Sequence, residues 1–461
     1  MNTFNPSIFR AYDIRGKAAK DLSNELSYHL GRAFASELAQ PNPTVSLARD
    51  CRLSSKRIRD SFAKGLCDSG ANVIDVGVGP SPILYFAAHH LNTSGSVVIT
   101  GSHNPSDENG FKMMRGTSSF YGDAIKKLKL RINGENYVEP TKTGVIKEQN
   151  IDDAYLNAMQ NALNMGKKRP KVVIDAGNGT GGPLAIKLFG GLGFDVIPLF
   201  CEMDGTFPNH HPDPTVESNL QALKDKVIES GAEVGLAFDG DTDRLGAIDG
   251  SGRVLWGDQL MIIFGRAILK EIPGAKFIGE VKCSQSMYDE LKKAGGHPIM
   301  WKVGHSLIKS KLKEEKASLA GEMSGHLFFA DRYFGFDDAI YAGARLLEIL
   351  SKSPMTLSEH FDTLPSMVNT PEIRVPCPDD RKFELVDAVA TRLKASDKFT
   401  DIVELDGVRA NMGFGWGLVR ASNTQPSLVT RYEASSTKEL KTVKDFFIEA
   451  ISTSKLELSI P

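Results

Sequence analysis

Val-Gly-Leu-Ala-Phe-Asp-Gly-Asp-Thr-Asp-Arg, residues 234–244, joins a short apolar strand directly to a loop with three aspartates at alternate positions. A second stretch has the same form, because the mainly apolar residues 96–100 run into Gly-Ser-His-Asn-Pro, residues 101–105. Ligand sites of open α/β sheets lie at the ends of such strands. Both loops are therefore candidates for a ligand site. They can form one site only in a fold that brings them together.

The rest of the chain repeats this alternation of apolar runs and helical patterns, which predicts sheets with helices on their faces. In the first third, strands are predicted at 45–48, 73–76 and 96–100, with helices at 54–69 (capped by Ser54) and 82–91. After the polar stretch 133–153, strands are predicted at 171–175, 195–199 and 234–238, with a helix at 216–230. A third region has predicted helices at 259–269, 285–294, 306–315 and 338–350, and strands at 276–281 and 298–301.

A different pattern begins after the prolines between Pro354 and Pro378. It comprises a helix at 380–394, strands near 402–405, 416–420 and 427–432, and a terminal helix from Thr437, which together predict a small α+β unit. A chain of 461 residues has room for about three or four domains. We therefore predict three similar α/β domains and a C-terminal α+β domain, with boundaries at 1–150, 151–255, 256–368 and 369–461.

Composition argues against several classes of protein. The formal net charge is −2, whereas chains that bind nucleic acids or anionic membranes usually carry a basic excess. The five cysteines are widely spaced and form no Cys-x-x-Cys pair, which argues against a disulfide framework or a zinc site. No signal peptide and no apolar run of the ~18 residues that a membrane span needs can be recognised. We expect a cytoplasmic protein that binds neither nucleic acid nor membrane.

The carboxylates of Asp239, Asp241 and Asp243 can converge on one hard cation. An EF-hand loop would need Gly and Glu where this chain has Arg244 and Gly250, so a calcium-sensor loop is rejected. Three protein carboxylates that leave room for a phosphate oxygen suit Mg²⁺. The alternative is a solvated acidic turn, which is the weaker interpretation because an apolar strand leads directly into the loop.

Ser102 offers a hydroxyl in the other loop. Serines beside Gly and Asn-Pro are common in plain turns, and the string lacks the second Gly of a Gly-x-Ser-x-Gly nucleophile elbow. His103 is adjacent in sequence, from which we expect a poor geometry for activating Ser102. Lys112 is the more promising neighbour, because an ammonium stabilises a phosphate and can move a proton, and an ordinary surface lysine is the alternative.

Two strings that suggest ligand sites have simpler explanations. The glycine-rich string 177–182 lacks a Walker ending, and a strand-to-helix turn explains it better than a nucleotide site. The string 207–212 contains adjacent histidines, which seldom share a metal ion, so we interpret it as structural.

Two later strings suit a phosphorylated sugar. Residues 321–326 include Glu322 and Ser324, which suit sugar hydroxyls, and His326, which suits proton transfer near neutral pH. Residues 420–426 combine a guanidinium with three small polar side chains, a composition that fits a phosphate dianion. A plain turn is the alternative for either string alone.

Together, these motifs resemble those of the α-D-phosphohexomutase family, and most closely its bacterial phosphomannomutase/phosphoglucomutase branch. The resemblance runs from Phe-Arg-Ala-Tyr-Asp-Ile-Arg-Gly at 9–16 to the loop that starts at Arg420, which is nearly the whole chain. It implies four domains around a central cleft: three α/β domains with mixed sheets and an α+β domain that resembles the TATA-box-binding protein. In order, their loops would carry the phosphoserine, bind the metal, bind the sugar and bind the phosphate.

The resemblance also implies roles for individual residues. Ser102 would carry a phosphoryl group and complete a Mg²⁺ site with Asp239, Asp241 and Asp243. The expected catalytic residues are Ser102, Lys112, His326, Arg244, Arg15 and His103, with Lys112 and His326 as the proton-transfer groups. The expected substrate contacts are Tyr12, Lys282, His305, Glu322, Ser324, Arg420, Ser422, Asn423 and Thr424.

The implied activity is a reversible exchange between hexose 1-phosphates and hexose 6-phosphates. The phosphoserine gives its phosphoryl group to the sugar, the bisphosphate reorients without leaving, and its other phosphate returns to the serine. The implied cofactors are one Mg²⁺ per chain and glucose 1,6-bisphosphate or an equivalent as activator. Mannose and glucose phosphates are the expected partners, since nothing in the sequence obviously reads the 2-hydroxyl that distinguishes them. The oligomeric state stays open, and a monomer is compatible with the sequence.

Three alternatives remain open. A phosphoglucosamine mutase would share the scaffold, although such enzymes tend to have Gln in place of Met323 and Ala or Gly in place of Thr242. A Mg²⁺ phosphatase could use the same acidic loop, but it has no need for a phosphate clamp at 420–424. A non-catalytic sensor of sugar phosphates fits least well, because the serine and the three aspartates are all present.

Overall fold

The computed structural model describes residues 4–423 and 425–452, which contain four separate sheets. The first three sheets mix parallel and antiparallel strand pairs, and the fourth is antiparallel throughout. The fold class expected from the sequence is confirmed: three α/β units precede one α+β unit. We call each sheet with its helices a unit and number the units in chain order.

Unit 1 contains seven strands in the order β1-β5-β4-β2-β3-β7, with β6 paired to β5. The strands are β1 (Ile14–Lys17), β2 (Thr44–Arg49), β3 (Asn72–Val78), β4 (Gly95–Ile99), β5 (Glu108–Arg115), β6 (Ser118–Ser119) and β7 (Ile146–Glu148). The helices are α1 (Asn24–Glu37), α2 (Ser55–Asp68), α3 (Ser81–His90) and α4 (Asp123–Asn133). Alternate side chains of a strand point to opposite faces, so Val97 packs with α1, α2 and α4 whereas Val98 packs with α3.

Units 2 and 3 share one continuous core with the α3 face of unit 1. Unit 2 has the strand order β12-β11-β10-β8-β9 and unit 3 the order β14-β13-β15-β16. The elements of unit 2 are α5 (Asp152–Asn161), β8 (Val172–Asp175), α6 (Gly182–Gly191), β9 (Val196–Leu199), α7 (Gln221–Ser230), β10 (Val234–Phe238), β11 (Leu245–Asp249) and β12 (Val254–Leu255). The elements of unit 3 are α8 (Gly257–Glu271), β13 (Lys276–Glu280), α9 (Gln285–Lys293), β14 (His297–Trp301), α10 (His305–Glu315), β15 (Leu319–Gly321), β16 (Leu327–Phe329), α11 (Ala339–Lys352) and α12 (Leu357–Asp362).

Unit 4 has its own core, built from a six-stranded sheet and two helices. The strand order is β17-β22-β21-β20-β19, and β18 also pairs with β22. The elements are β17 (Val368–Asn369), β18 (Ile373–Pro376), α13 (Lys382–Lys394), β19 (Asp401–Val403), β20 (Val408–Asn411), β21 (Gly415–Ala421), β22 (Ser427–Ala434) and α14 (Thr437–Ser452). A small cluster around Trp416 connects this unit to Val281 of unit 3.

The structure corrects three details of the sequence analysis. The polar stretch 133–153, expected to separate two units, contains β7, an exposed edge strand that pairs with β3 and lacks the apolar pattern of a core strand. Ser54 precedes α2 but does not cap it, because its backbone is already helical and its hydroxyl accepts a hydrogen bond from Asn109 at 2.8 Å. The helix predicted at 216–230 begins with a 3₁₀ turn at Glu217–Leu220.

Among the described residues, no helix combines the length and the apolar character needed to cross a membrane.

Candidate active site

A cleft of about 1050 Å³ is lined by side chains from all four units. The lining residues that the sequence had singled out are Tyr12, Arg15, Ser102, His103, Lys112, Arg244, Lys282, His305, Glu322, Ser324, His326, Arg420, Ser422 and Asn423. Asp239, Asp241 and Asp243 are fully buried behind Ser102 and Lys112. Thr424 lies outside the described residues.

Ser102 follows β4 and has a left-handed backbone, with φ at +49°. This conformation costs a non-glycine residue about 1–3 kcal/mol and persists only where the surroundings enforce it. The Ser102 amide donates to the Thr100 hydroxyl at 2.9 Å, and the Ser102 hydroxyl donates to Oδ2 of Asp239 at 2.9 Å. The strain therefore lies at the residue whose hydroxyl faces the acidic cluster, a pattern typical of active sites.

His103 contradicts the expectation of poor geometry towards Ser102. Its Nδ1 lies 3.1 Å from the Ser102 hydroxyl, since the left-handed turn at Ser102 brings two adjacent side chains together. Desolvation in the cleft, followed by the nearby Arg244 and Arg15 cations, lowers the pKa of His103 well below its ordinary value. A neutral imidazole therefore faces the serine.

The three aspartates lie in the loop of a tight hairpin between β10 and β11, whose last pair is Phe238 with Leu245. Oδ1 of Asp239 closes the loop by accepting from two of its backbone amides, at 3.0 and 3.1 Å. Gly240 approaches the serine loop so closely that a Cβ there would lie 2.4 Å from the Ser102 carbonyl oxygen. The two candidate loops are thus in direct contact, and this contact requires glycine at position 240.

Lys112 lies on β5, beside the end of β4, and its ammonium is 2.6 Å from Asp241 and 2.5 Å from Asp243. Burial lowers the pKa of Lys112, but the three aspartates outweigh it, so the net pKa is raised. Burial also raises the pKa of Asp239 well above its usual range, and the neighbouring carboxylates add to the effect.

The acidic cluster fits a divalent cation. Its three carboxylates offer ligand oxygens within 4.8 Å of one another, and Oδ1 of both Asp241 and Asp243 is buried without a hydrogen-bond partner. A buried anionic oxygen without a partner is costly unless a cation or a donor reaches it. A set of oxygen ligands is what Mg²⁺ prefers.

His326 lies next to Arg244, with which it forms an isolated antiparallel bridge, and both residues line the cleft. The Arg244 Nε donates to His326 Nε2 at 3.1 Å, and the His326 Nδ1 lies 3.1 Å from Asp337. Asp337 is fully buried and also binds the ammonium of Lys309 at 2.9 Å. The ring of His305 stacks on that of His326 with centroids 5.8 Å apart.

Sequence reasoning missed Asp337 and Lys309. Asp337 stands beside Asp338, whose side chain caps α11 by accepting from the Tyr341 amide at 2.9 Å. An acidic pair before a helix is typical of a helix start, so the pattern gave no reason to assign Asp337 to the site.

Arg15 reaches the serine loop from β1, which pairs with β5 at Arg15 and Gly110. Its guanidinium donates to Asn104 at 2.6 Å and pairs with Asp13 at 2.8 Å. The cationic side chains of Arg15, Lys112 and Arg244 all line the cleft, and all three act electrostatically on His103.

Arg420, near the end of β21, and the loop that follows it also line the cleft. Arg420 pairs with Asp406 at 3.1 Å, and its buried Nε has no hydrogen-bond partner. Asn423 donates to the hydroxyl of Tyr12 at 2.8 Å, and that hydroxyl donates to the Val303 carbonyl at 3.1 Å. Units 1, 3 and 4 therefore meet at one tyrosine.

The unit 3 loops supply the remaining lining. Glu322 accepts from the Gly304 amide at 2.8 Å, and Ser324 is half-buried beside it. Lys282 pairs with Glu372 at 3.0 Å. Burial would raise the pKa of Glu372, but Lys282 and Arg374 lower it to about 2. Sequence reasoning missed Glu372, which lies among the prolines taken for a linker.

The two strings interpreted as structural lie outside the cleft lining. Residues 177–182 form the turn between β8 and α6, with Gly177 at φ +50°. His210 hydrogen-bonds to Asp175 at 3.0 Å within unit 2.

Comparison with known proteins gives four consecutive family matches. Phosphoglucomutase/phosphomannomutase alpha/beta/alpha domains I, II and III match residues 6–137, 153–252 and 256–367, and the C-terminal domain of the same family matches residues 372–450.

Relatives of similar length match along the whole chain. A phosphomannomutase/phosphoglucomutase of Pseudomonas putida is 45% identical over 456 residues, which cover 99% of this chain and 97% of the relative. A phosphoglucomutase of Neisseria meningitidis is 44% identical over 449 residues, with 97% of each chain covered.

Solved structures agree with these matches. A phosphoglucomutase/phosphomannomutase family protein from Burkholderia thailandensis superposes with a TM-score of 0.93 at 40% identity, with both chains fully covered. A putative phosphomannomutase from Thermus thermophilus has the same fold, with a TM-score of 0.82 at 19% identity, covering 98% of this chain and 100% of the other. The chain belongs to the phosphoglucomutase/phosphomannomutase family, the α-D-phosphohexomutases.

Proposed function

We propose that this protein interconverts hexose 1-phosphates and hexose 6-phosphates of mannose and glucose through a phosphoserine at Ser102. One observation carries the proposal: the cleft is lined both by a strained serine that lies 2.9 Å from a buried acidic cluster and by the Arg420 guanidinium with the loop that follows it. A phosphatase needs only the first of these. A mutase needs both, because its substrate carries a second phosphate that must be held while the first reacts.

The proposed metal site consists of Asp239, Asp241 and Asp243 with a phosphate oxygen on Ser102. A Mg²⁺ ion bound there would neutralise charge that develops on the transferred phosphoryl group. Glucose 1,6-bisphosphate, or an equivalent bisphosphate, is the proposed activator, since it would load the serine. The cytoplasm is the proposed location, because free hexose phosphates are metabolites of that compartment.

In the proposed first half-reaction, the 6-hydroxyl of a hexose 1-phosphate attacks the phosphorus on Ser102. The new bond to O6 forms as the bond to Oγ breaks. His326 takes the hydroxyl proton on Nε2, once the Arg244 hydrogen bond to that atom is released, and the Lys112 ammonium protonates the departing serine oxygen. In the second half-reaction the bisphosphate presents its other phosphate, Lys112 takes the serine proton, and His326 returns its proton to the sugar.

Several side chains would serve both orientations of the sugar. The loop of Arg420, Ser422 and Asn423, with Thr424 as its expected fourth member, would hold whichever phosphate is not reacting. Glu322 and Ser324 would bind the 3- and 4-hydroxyls. The proposed supporting contacts to phosphate or sugar are Arg15, Arg244, His103, Tyr12, Lys282 and His305.

The domain boundaries that we propose are the ones expected from the sequence: 1–150, 151–255, 256–368 and 369–461.

A parallel assay tests this proposal. Mannose 1-phosphate, glucose 1-phosphate and glucosamine 6-phosphate would each be incubated with enzyme, Mg²⁺ and trace glucose 1,6-bisphosphate, with and without a chelator. We expect metal-dependent conversion of both hexose 1-phosphates to 6-phosphates. Preference for the amino sugar would identify a phosphoglucosamine mutase instead, and release of inorganic phosphate without isomerisation would identify a phosphatase.

A further inference from the structure

Arg52 lies directly behind the serine loop and is 1% exposed. Its Nη2 donates to the carbonyls of Ser102 at 2.7 Å and Asn104 at 2.6 Å. Its Nη1 donates to the carbonyls of Glu108 at 3.1 Å and Pro105. The Nε donates to Asp50 at 3.1 Å, so every donor of the guanidinium is used, and four of them hold one short loop.

Asp50 completes this arrangement from the same side. The oxygen that binds Arg52 Nε also accepts from the Gly101 amide at 3.0 Å. Its other oxygen accepts from the Arg52 amide at 3.0 Å and from the Ser55 hydroxyl. One buried ion pair therefore holds the Gly101 N–H and the Ser102 carbonyl, which lie on either side of the Gly101–Ser102 peptide group.

The Arg52 side chain is enclosed on two sides, so it has little freedom to move. The ring of Phe207 from unit 2 lies 5.0 Å from its guanidinium carbon. On the loop side, a Cβ at Gly101 would lie 2.5 Å from Arg52 Nε. Because the guanidinium is packed this tightly, a shift of the group would displace the loop carbonyls that are hydrogen-bonded to it.

We propose that Arg52 is a positioning residue for phosphoryl transfer, which holds Ser102 in its left-handed conformation so that Oγ faces the acidic cluster. A strained backbone relaxes unless its surroundings over-determine it, and the four loop carbonyls on Arg52 supply that constraint. Arg52 does not reach the cleft, so its effect would pass through the loop and leave sugar binding intact. This inference rests on the mutase function proposed above.

The test compares Arg52→Lys with Arg57→Lys. Arg57 is a matched control, because it also donates to two backbone carbonyls of unit 1, those of Leu22 at 3.0 Å and Ala18 at 2.9 Å, but it does not touch the serine loop. We expect Arg52→Lys to lower kcat by about 100-fold, the cost of a misplaced reacting atom, with KM changed by less than about threefold. Arg57→Lys should keep both kinetic constants near wild type.

A structural role alone would lower the fraction of folded enzyme and spare the kcat of the folded part. Calorimetric titration with glucose 1-phosphate in the presence of a chelator, which stops turnover, therefore counts binding-competent molecules, and kcat is expressed per competent site. Wild-type kcat per competent site in Arg52→Lys would overturn the inference.

Gly101→Ala provides a second variant if Arg52→Lys does not fold. Its Cβ pushes the guanidinium from the opposite side, and we expect the same loss of kcat per competent site; full kcat would overturn the inference. Conversion of glucose 1-phosphate to glucose 6-phosphate by wild type and by Arg57→Lys would support the mutase function independently of Arg52. Absence of this conversion in wild type would overturn both the mutase function and the inference about Arg52.

Discussion

His326 illustrates how the role of one side chain depends on residues that are remote in sequence. Arg244 donates to its Nε2, and the Asp337 carboxylate lies 3.1 Å from its Nδ1 outside hydrogen-bond geometry, so one hydrogen bond and one nearby negative charge act on the ring. Burial would raise the pKa of Asp337, but Lys309 and the two neighbouring histidines hold it well below its ordinary value. An ionised carboxylate at this position favours the His326 tautomer that carries its proton on Nδ1.

Asp337→Asn should lower kcat by about 10- to 100-fold, the usual cost of losing a group that orients a functional histidine. KM should change little, because Asp337 does not line the cleft. Asp338→Asn is the matched control: it makes the same chemical change one residue along and should keep kcat near wild type. Steady-state kinetics on glucose 1-phosphate measures both, and an unaltered kcat in Asp337→Asn would show that His326 needs no such partner.

Residues that carry their chemistry in a local motif could be predicted from the sequence. Ser102 and the three aspartates stand out because each follows an apolar strand in a distinctive loop. Arg52 could not be predicted this way, since it has no motif and its importance comes from carbonyls about 50 residues along the chain, which only the folded sheet brings to it.

At the scale of elements, strands and helices with strong apolar patterns could be predicted from the sequence, and weakly patterned ones could not. The strand Val234–Phe238 has the predicted bounds. All its residues are buried, and a continuous apolar run of this kind is visible in the sequence. The strand Ile146–Glu148 was missed because all its residues are exposed, and its pairing with β3 is a consequence of the tertiary fold. Backbone pairing along an edge leaves no apolar signature.

The start of α11 offers a test of stability against pH. Burial raises the pKa of Asp338 to about 6, despite hydrogen bonds from Tyr341, Tyr155 and Tyr333. The folded state then binds the proton more tightly than the unfolded state, so this group's contribution falls as pH rises from about 4 to 6, by up to about 3 kcal/mol. Asp338→Asn should remove this pH-dependent loss of stability, because the asparagine side chain does not titrate.

Thermal unfolding of wild type and Asp338→Asn at pH values across this window measures the difference directly. The variant should gain stability relative to wild type as pH rises from 4 to 6 and keep a constant advantage above it. A difference that is independent of pH would mean that Asp338 titrates normally in the folded protein.

At the scale of the whole molecule, side-chain hydrogen bonds and ion pairs join different units around the cleft. Tyr12 connects unit 1 to Asn423 of unit 4 and to Val303 of unit 3. Lys282 of unit 3 pairs with Glu372, near the start of unit 4. The architecture of four units could be predicted from the sequence, but these contacts could not, because side chains that meet across units share no local pattern.

Tyr12→Phe should raise KM by about 2- to 10-fold, the worth of one or two hydrogen bonds between neutral groups, and should change kcat less. Tyr121→Phe is the matched control, since the Tyr121 hydroxyl also joins units 1 and 3, at 3.3 Å from Ser310, but lies outside the cleft lining. Equal KM values for the two variants would show that the Tyr12 hydroxyl does not help to hold the cleft around its substrate.

The most direct measurement follows one labelled phosphoryl group. Enzyme loaded with [³²P]phosphate from labelled glucose 1,6-bisphosphate would be mixed with unlabelled glucose 1-phosphate and Mg²⁺, with Ser102→Ala treated in parallel. We expect the label to leave the wild-type protein on the 6-position of glucose, and Ser102→Ala to take up none. Release of the label as inorganic phosphate, or turnover by Ser102→Ala, would contradict a phosphoserine mutase.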